Sequence, residues 1–287
     1  MRGIVLAGGT GSRLWPITKV TSKQLLPVYD KPMIYYPIST LMLAGVNEIL
    51  IISTPHDTPE FERLLGDGSK FGIVIKYAVQ PNPDGIAQAF IIGQEFLDGD
   101  SCLMILGDNI FYGAGLGEQL QKTIPKTGAH IFTYRVSDPT RYGVLVTDDK
   151  GEPIAVEEKP TNPTSDLAVT GLYFFDNRVV EEAKLVQPSN RGELEITSLI
   201  GSYLAKKELG VTHLTRGTAW LDTGTPESMH DASTFVRVIE ERTGLKIACL
   251  EEVALRMGWL EPNMIKLSLT SGNAYSDYLL KVIDALA

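Results

Sequence analysis

The stretch Ile4-Val5-Leu6-Ala7-Gly8-Gly9-Thr10-Gly11-Ser12-Arg13-Leu14 closes an apolar run on three glycines within four residues. Lys23-Gln24-Leu25-Leu26-Pro27 follows shortly after. Such a pattern reads as a buried strand whose carboxyl end opens into a tight loop. Without Cβ atoms, backbone N–H groups can converge on a small anion, so the turn is a candidate phosphate nest. Arg13 and Lys23 add full charges. Residues 1–32 hold five basic residues, Arg2, Arg13, Lys19, Lys23 and Lys31, against the acid Asp30, in a chain of net charge −9. A cationic start on an acidic protein points to a polyphosphate site and excludes general affinity for nucleic acid.

Two aspartates stand out. Asp108 leaves the apolar run Cys102-Leu103-Met104-Ile105-Leu106, and Asp222 follows Trp220-Leu221. Carboxylates at the ends of buried segments need a partner or a metal. Together they could hold Mg²⁺, which keeps company with phosphates; singly, each is as readily a turn former or a helix cap. Asp98 and Asp100 lie before the strand, at its wrong end, and read as a solvated turn. Glu157-Glu158-Lys159-Pro160 reads by default as a surface charge run.

Two familiar loop types fail. A dinucleotide fingerprint begins correctly at Gly9 and Gly11 but meets Leu14 where its third glycine belongs. A Walker loop needs a Gly-Lys pair, and the chain has none.

The elements that would position these residues alternate. Strands are expected at 4–7, 48–53, 73–79 and 101–106, with helices at 32–45, 57–66 and 86–97. Pro37 either kinks the first helix or starts it. The alternation argues for a Rossmann-like, mostly parallel mixed sheet flanked by helices, an α/β fold with ligands at the strands' carboxyl ends. Gly8–Gly11, Gln80–Gly85 and Gly107-Asp108 all fall there. From about 129 the pattern changes to short strands at 130–136, 142–147, 153–158 and 168–175, two of them joined by an Asp148–Gly151 turn. A helix at 194–207, a strand at 211–214 and a helix opening at Pro226 follow. The tail carries three helix-like segments. The expected organisation is a core over 1–240, with one part over 1–128 and another over 129–240. A helical carboxyl-terminal region over 241–287 completes it.

A chain of 287 residues buries a substantial core, and 44% hydrophobic with 21% charged residues is ordinary globular composition. No apolar run approaches the roughly 20 residues of a bilayer span. The start leaves no room for a signal peptide, so a cytoplasmic protein without membrane contact is expected. Cys102 and Cys249 read as buried free thiols, and nothing resembles a zinc site.

The glycine loop with Lys23–Pro27 resembles the signature of the sugar-1-phosphate nucleotidylyltransferases. Val28–Pro37, Ile105–Asn109, Glu158–Pro160, Thr170–Tyr173, Asn190–Glu195 and Trp220–Gly224 are similar too, and together they resemble the short-form thymidylyltransferase branch over almost the whole chain. Departures are Ser12 for a usual Thr, Ser198 where an acid is usual, Thr218 for an aromatic, and Gly117 for a histidine.

The resemblance implies a nucleotidyltransferase fold, with 1–128 as its nucleotide part and 129–240 as its sugar-phosphate part, and Mg²⁺-dependent transfer from dTTP to α-D-glucose 1-phosphate, giving dTDP-glucose and pyrophosphate. Gly8, Gly9, Thr10, Gly11, Ser12 and Arg13 would cradle the triphosphate. Lys23 would hold nucleotide phosphate, Lys159 the sugar phosphate, and Asp108 and Asp222 the metal. Gln24 and Gln80 offer amides to thymine, with Gly85 allowing close approach. Gly143, Glu158 and Val169 would meet the sugar, walled by Tyr142 and Trp220. Relatives are homotetramers with a second nucleotide site, and Gly113, Arg216, Glu252 and Arg256 match it; dTDP-rhamnose is the expected feedback inhibitor. The alternatives are a UTP-preferring enzyme of the same fold and an inactive nucleotide-sugar-binding regulator.

Overall fold

The computed structural model describes residues 1–287 except Thr10, Ser271 and Ala287. Its strands are β1 (Arg2–Leu6), β2 (Pro27–Val28), β3 (Lys31–Pro32), β4 (Glu48–Ser53), β5 (Val74–Val79), β6 (Cys102–Leu106), β7 (Asn109–Tyr112), β8 (Ala129–Arg135), β9 (Gly143–Thr147), β10 (Pro153–Glu158), β11 (Leu167–Phe175), β12 (Leu209–His213) and β13 (Ala219–Asp222). Its helices are α1 (Tyr35–Leu43), α2 (Thr58–Leu65), α3 (Gln88–Ile92), α4 (Gln94–Leu97), α5 (Leu116–Thr123), α6 (Val179–Leu185), α7 (Ile196–Ala205), α8 (Pro226–Thr243), α9 (Leu250–Arg256), α10 (Pro262–Ser268) and α11 (Ala274–Leu286).

A nine-stranded sheet runs β10-β9-β11-β6-β1-β4-β5, with β8 beside β11 and β12 beside β8. The strands β6, β1, β4 and β5 are parallel, as the alternation predicts. Beyond them the sheet turns antiparallel at β11 and stays so through β9 and β10, while β12 lies parallel to β8. Between β9 and β10 the reason is local, because the short Asp148–Gly151 turn joins strands that can only run antiparallel. There the Asp148 carboxylate accepts from the N–H groups of Lys150 and Glu152, both at 2.9 Å.

The central strands are apolar throughout because both faces are covered. Val5, Ile49, Ile51, Leu103 and Ile105 pack with Ile38 and Leu41 of α1, Phe61 of α2 and Leu120 of α5. Their neighbours Ile4, Leu50, Ile52 and Met104 pack with Phe90 of α3, Leu97 of α4, Val179 of α6 and Ile200 of α7. Pro37 lies in the first turn of α1, where its missing N–H removes nothing, so the helix starts there and does not kink. Gly45, at φ 89°, ends it with bonds from Gly45 N to Met42 O (2.9 Å) and Val46 N to Leu41 O (3.0 Å). The helix expected at 86–97 divides at Gly93, where a Cβ would stand 3.1 Å from Ile4 Cδ1. The brief helices α5 and α6 escape the sequence pattern.

Thr225 caps α8 reciprocally with Ser228, each backbone N–H donating to the other's hydroxyl at 3.0 and 3.2 Å. This helix runs past position 240 to Thr243. The tail forms a small cluster of its own around Cys249, Ile265, Leu279 and Ile283, and α9 packs on α1. Both cysteines are buried and free. Among the described residues no helix is long and apolar enough to cross a membrane.

Candidate active site

Three strand ends build one rim. Gly107 N donates to Leu6 O at 2.9 Å, and Ala7 N to Ile52 O at 2.8 Å, so the segments after β1, β4 and β6 leave the sheet side by side. Gly9 (φ 108°) and Gly11 (φ 57°) adopt backbone that favours glycine. The chain then coils in single 3-10 turns, Ser12–Leu14, Ile17–Lys19 and Lys23–Leu25. Buried Leu14 anchors the first of these and leaves Arg13 exposed beside it. Thr10, expected among the phosphate-holding residues, lies outside the described residues.

Arg13 reaches across to Gly224, where a Cβ would stand 3.4 Å from its guanidinium nitrogens. Lys23 forms an ion pair with Asp108. The other basic residues of the start do not join them. Arg2 lies at the opposite end of β1, paired with Asp100 at 3.2 Å, which also places Asp98 and Asp100 away from the rim. Lys31 is 3% exposed and locked between Asp30 and Glu240 (2.9 Å), with Lys246 closing the cluster. Lys19 is exposed on its turn. The charge count of the first 32 residues therefore overstates the phosphate site, because one cation serves packing and another the far edge.

The two aspartates meet through a ribbon detached from the main sheet. Antiparallel β7 and β13 set Asp222 opposite Asn109. Thr223 fastens the turn, its hydroxyl donating to Asp108 O at 2.7 Å. Burial works to raise the Asp108 carboxyl, but the Lys23 ammonium and the Asn109 amide override it and hold the group below its ordinary value. Asp222 goes the other way: burial first, and then the Asp108 charge, push it up against the weaker pull of Lys23, Arg141 and Arg13. Tyr142 donates to Asp222 at 3.4 Å and Arg141 stands 3.5 Å away. Two like charges that repel across a gap, with oxygen donors alone, suit a hard divalent cation. Among the described residues no cluster of three or more His, Cys, Asp and Glu is placed to hold a metal, so water or substrate oxygens would complete the shell.

Below the aspartates a cavity of about 740 Å³ is lined by Arg13, Asp108, Tyr142, Gly143, Glu158, Lys159, Val169, Trp220 and Asp222. Most residues expected to meet sugar and phosphate thus share one space. A Cβ on Gly143 would stand 3.0 Å from Thr197 Cγ2 and 3.8 Å from both Glu158 Oε2 and Val169 Cβ. The Lys159 ammonium lies 3.3 Å from Glu158. The Tyr142 and Trp220 rings pack at 5.1 Å between centroids, and burial raises the Tyr142 hydroxyl. Glu158 is therefore a wall of the cavity and not a surface charge.

Gln24 and Gln80 lie against the rim, 2% and 5% exposed: a Cβ on Gly107 would stand 3.0 Å from Gln24 Cγ, and one on Gly8 2.5 Å from Gln80 Oε1. The Ser22 hydroxyl donates to Gln24 at 2.6 Å. Gly85 has a reason besides ligand approach: at φ 113°, a Cβ there would stand 2.4 Å from the Leu194 backbone.

Sequence reasoning passed over four residues of the site. Arg141 and Arg191 line the cavity as further cations, Thr197 donates to Glu158 at 3.3 Å, and Asn109 is a buried hub. Its Oδ1 accepts from Trp220 Nε1 (2.6 Å) and Gly171 N (3.1 Å), while its Nδ2 donates to Asp108 (3.0 Å). Arg141 sits directly before Tyr142-Gly143, which was the available signal. Ser198 is exposed on α7 and lines a neighbouring cavity with Arg191.

Of the residues matched to a second nucleotide site, Gly113, Glu252 and Arg256 line a separate cavity of about 470 Å³ with Gly117 and Lys246. Arg256 pairs with Glu252 at 2.8 Å. Arg216 is not among them; it borders a different cavity, of about 360 Å³, beside Leu214.

Comparison with known proteins agrees with this architecture. The model of the family described as nucleotidyl transferase matches residues 2–238. A glucose-1-phosphate thymidylyltransferase of Neisseria meningitidis is 55% identical over 99% of both chains. One from Mycobacterium tuberculosis is 52% identical, again over 99% of both. A solved Bacillus anthracis structure, provisionally named a glucose-1-phosphate thymidylyltransferase and holding a sucrose, is 40% identical. It aligns with TM-score 0.76 over 83% of this chain and 95% of its own. A UDP-glucose pyrophosphorylase complexed with UDP-glucose, 21% identical, shares the fold at TM-score 0.73 over 83% of this chain and 98% of its own. The chain belongs to the nucleotidyl transferase family, on its glucose-1-phosphate thymidylyltransferase branch.

Proposed function

We propose that the protein transfers thymidylyl from dTTP to α-D-glucose 1-phosphate, releasing pyrophosphate and forming dTDP-glucose. The observation that carries this reading is the convergence of Arg13, Lys159, Asp108 and Asp222 on one cavity floored by Gly143, Glu158 and Val169. A phosphate monoester is mostly dianionic at pH 7, its second pKa being about 6, so the acceptor needs no general base. What it needs is a route to an α-phosphorus surrounded by negative charge, and positioning with neutralisation supplies that. Lys159 and Arg191 take the sugar phosphate at the cavity wall. Arg13 holds the triphosphate and stabilises departing pyrophosphate, with the glycine loop beneath it. Lys23, now on Asp108, is positioned to exchange that carboxylate for nucleotide phosphate. Gln24 and Gln80 read the base. Asp108 and Asp222 would hold Mg²⁺, which when bound would neutralise phosphate oxygens.

On this reading residues 1–240 are the transferase core and 241–287 supply oligomer contacts in a cytoplasmic homotetramer. The cavity holding Gly113, Glu252 and Arg256 binds a nucleotide-sugar end product such as dTDP-rhamnose. Loss of inhibition by dTDP-rhamnose in Arg256→Ala is expected; unchanged inhibition would remove that role.

Pyrophosphate release measured with glucose 1-phosphate and each nucleoside triphosphate in turn tests the main assignment. The expected result is turnover with dTTP. A clear preference for UTP would overturn the base assignment, and no release with any pair would overturn the enzyme.

A further inference from the structure

The base-reading amide of Gln80 is oriented by a relay that ends in a carboxylate. Gln80 follows β5, and its Nε2 donates to Gln88 Oε1 at 2.7 Å and to Gly85 O at 3.3 Å. Gln88, the first residue of α3, donates its own Nε2 to Asp84 Oδ2 at 3.0 Å. An ionised carboxylate accepts hydrogen bonds and cannot donate them. Asp84 therefore orients Gln88, and Gln88 together with the Gly85 carbonyl orients Gln80. Gln88 turns its nitrogen to Asp84 and its oxygen to Gln80, so Gln80 turns its nitrogen to Gln88 and its oxygen away. That oxygen lies against the glycine loop, where a Cβ on Gly8 would stand 2.5 Å from it. Among the described residues no hydrogen bond is made to it.

We propose that Asp84 and Gln88 are specificity-determining positioning residues, which present the Gln80 oxygen to the nucleobase and so require an N–H at pyrimidine position 3. The inference rests on the assignment of Gln80 to the base. Thymine and uracil carry that N–H. Cytosine carries a bare acceptor nitrogen there, and two acceptors would face each other in a site where Gln80 is nearly buried. The relay makes no distinction at the ring methyl, so it separates cytosine from the other two and not thymine from uracil.

Asp84 is exposed, and its backbone oxygen, which accepts from Leu194 N at 2.7 Å, survives side-chain replacement. Asp84→Lys replaces the terminal acceptor with a donor. It draws the Gln88 oxygen outward and turns the Gln88 nitrogen inward, which sets Gln88 against the longer 3.3 Å hold of Gly85 O and favours the reversed Gln80 amide. Asp84→Asn removes the bias without reversing it. Calorimetric binding of dTTP, dUTP and dCTP to the full chain, with steady-state kinetics alongside, reads the outcome. The wild type is expected to bind dCTP about a hundredfold more weakly than dTTP, and dUTP within about tenfold of it. Asp84→Lys should narrow the dTTP to dCTP ratio by about tenfold and leave the dTTP to dUTP ratio within about twofold, with Asp84→Asn between. The added charge acts on all three triphosphates alike, so the ratios isolate the relay. The change should fall on the nucleotide KM and not on kcat. An unchanged dTTP to dCTP ratio in Asp84→Lys, a dTTP to dUTP ratio that moves in parallel, or a wild type indifferent to dCTP would each overturn the inference. Selective dTTP binding without pyrophosphate release from glucose 1-phosphate would overturn the proposed activity and leave the relay standing.

Discussion

Asp222 pairs in register with Asn109, so its carboxylate is delivered beside that of Asp108, the residue just before. The pair is built with one member stabilised and one not. Asp222 is raised by burial and by its neighbour, so the folded protein disfavours its charge. Stability is lost as pH rises through the carboxyl range and regained as it falls. Asp222→Asn is therefore expected to lower kcat by about a hundredfold or more while raising the Tm of the ligand-free protein by about 2 °C or more. Calorimetric melts at pH 7 and near pH 4 check the second half: the gain should shrink at the lower pH. Near-normal kcat would remove Asp222 from the metal site.

Lys23→Met exposes the opposite sign. Asp108 is held below the ordinary aspartate value of 3.8, so its contribution is present above that value and lost as pH falls through the lowered one. Without the ammonium, the variant should lose about 1–3 kcal/mol at pH 7, and the gap to wild type should narrow as the solution approaches pH 3. Urea unfolding across that range measures it. The KM for dTTP should also rise, by about tenfold.

Gly143→Ala tests the sugar side alone. Its added methyl meets Thr197 Cγ2 at 3.0 Å and projects toward Glu158 and Val169. The expected effect is a roughly tenfold higher KM for glucose 1-phosphate with dTTP affinity unchanged, read by kinetics and by calorimetric binding of dTTP. A parallel loss of dTTP affinity would mean that the two halves are not separately addressable.

Lys31 should behave as a structural residue. Breaking its bond to Glu240 leaves a nearly buried carboxylate short of a partner, so Lys31→Met is expected to cost about 3–5 kcal/mol. Adding Glu240→Leu should recover part of that, since it removes a nearly buried carboxylate left with Lys246 as its one ammonium partner. Urea unfolding reports both, and kcat measured well below the melting range should stay near wild type in each.

Lys31 also shows how far sequence could be read. The parallel strands were legible because two-sided burial writes a continuous apolar run, and the glycine loop because positive φ narrows the choice of residue. Charge was less legible. Lys23 and Lys31 look alike in sequence, and only packing sends one to the rim and the other under α8. Glu158 reads locally as a surface charge and is placed at the sugar only by the resemblance, since a cavity-facing carboxylate and a solvated one have the same letter. Asn109 as a hub required the β7–β13 pairing, a contact between segments 110 residues apart that no local pattern encodes. Gly85 was noticed for a ligand, although Leu194 already explains its lack of a side chain.

Nine consecutive buried residues make up β11, which lies along β6 at its carboxyl half, against β9 at its amino half and along β8 at both ends. The strand thus acts as a common ruler: it carries Val169 and Gly171 of the cavity wall and lies along β6, the strand that leads into Asp108, so one stretch of backbone fixes the spacing between that wall and the carboxylate.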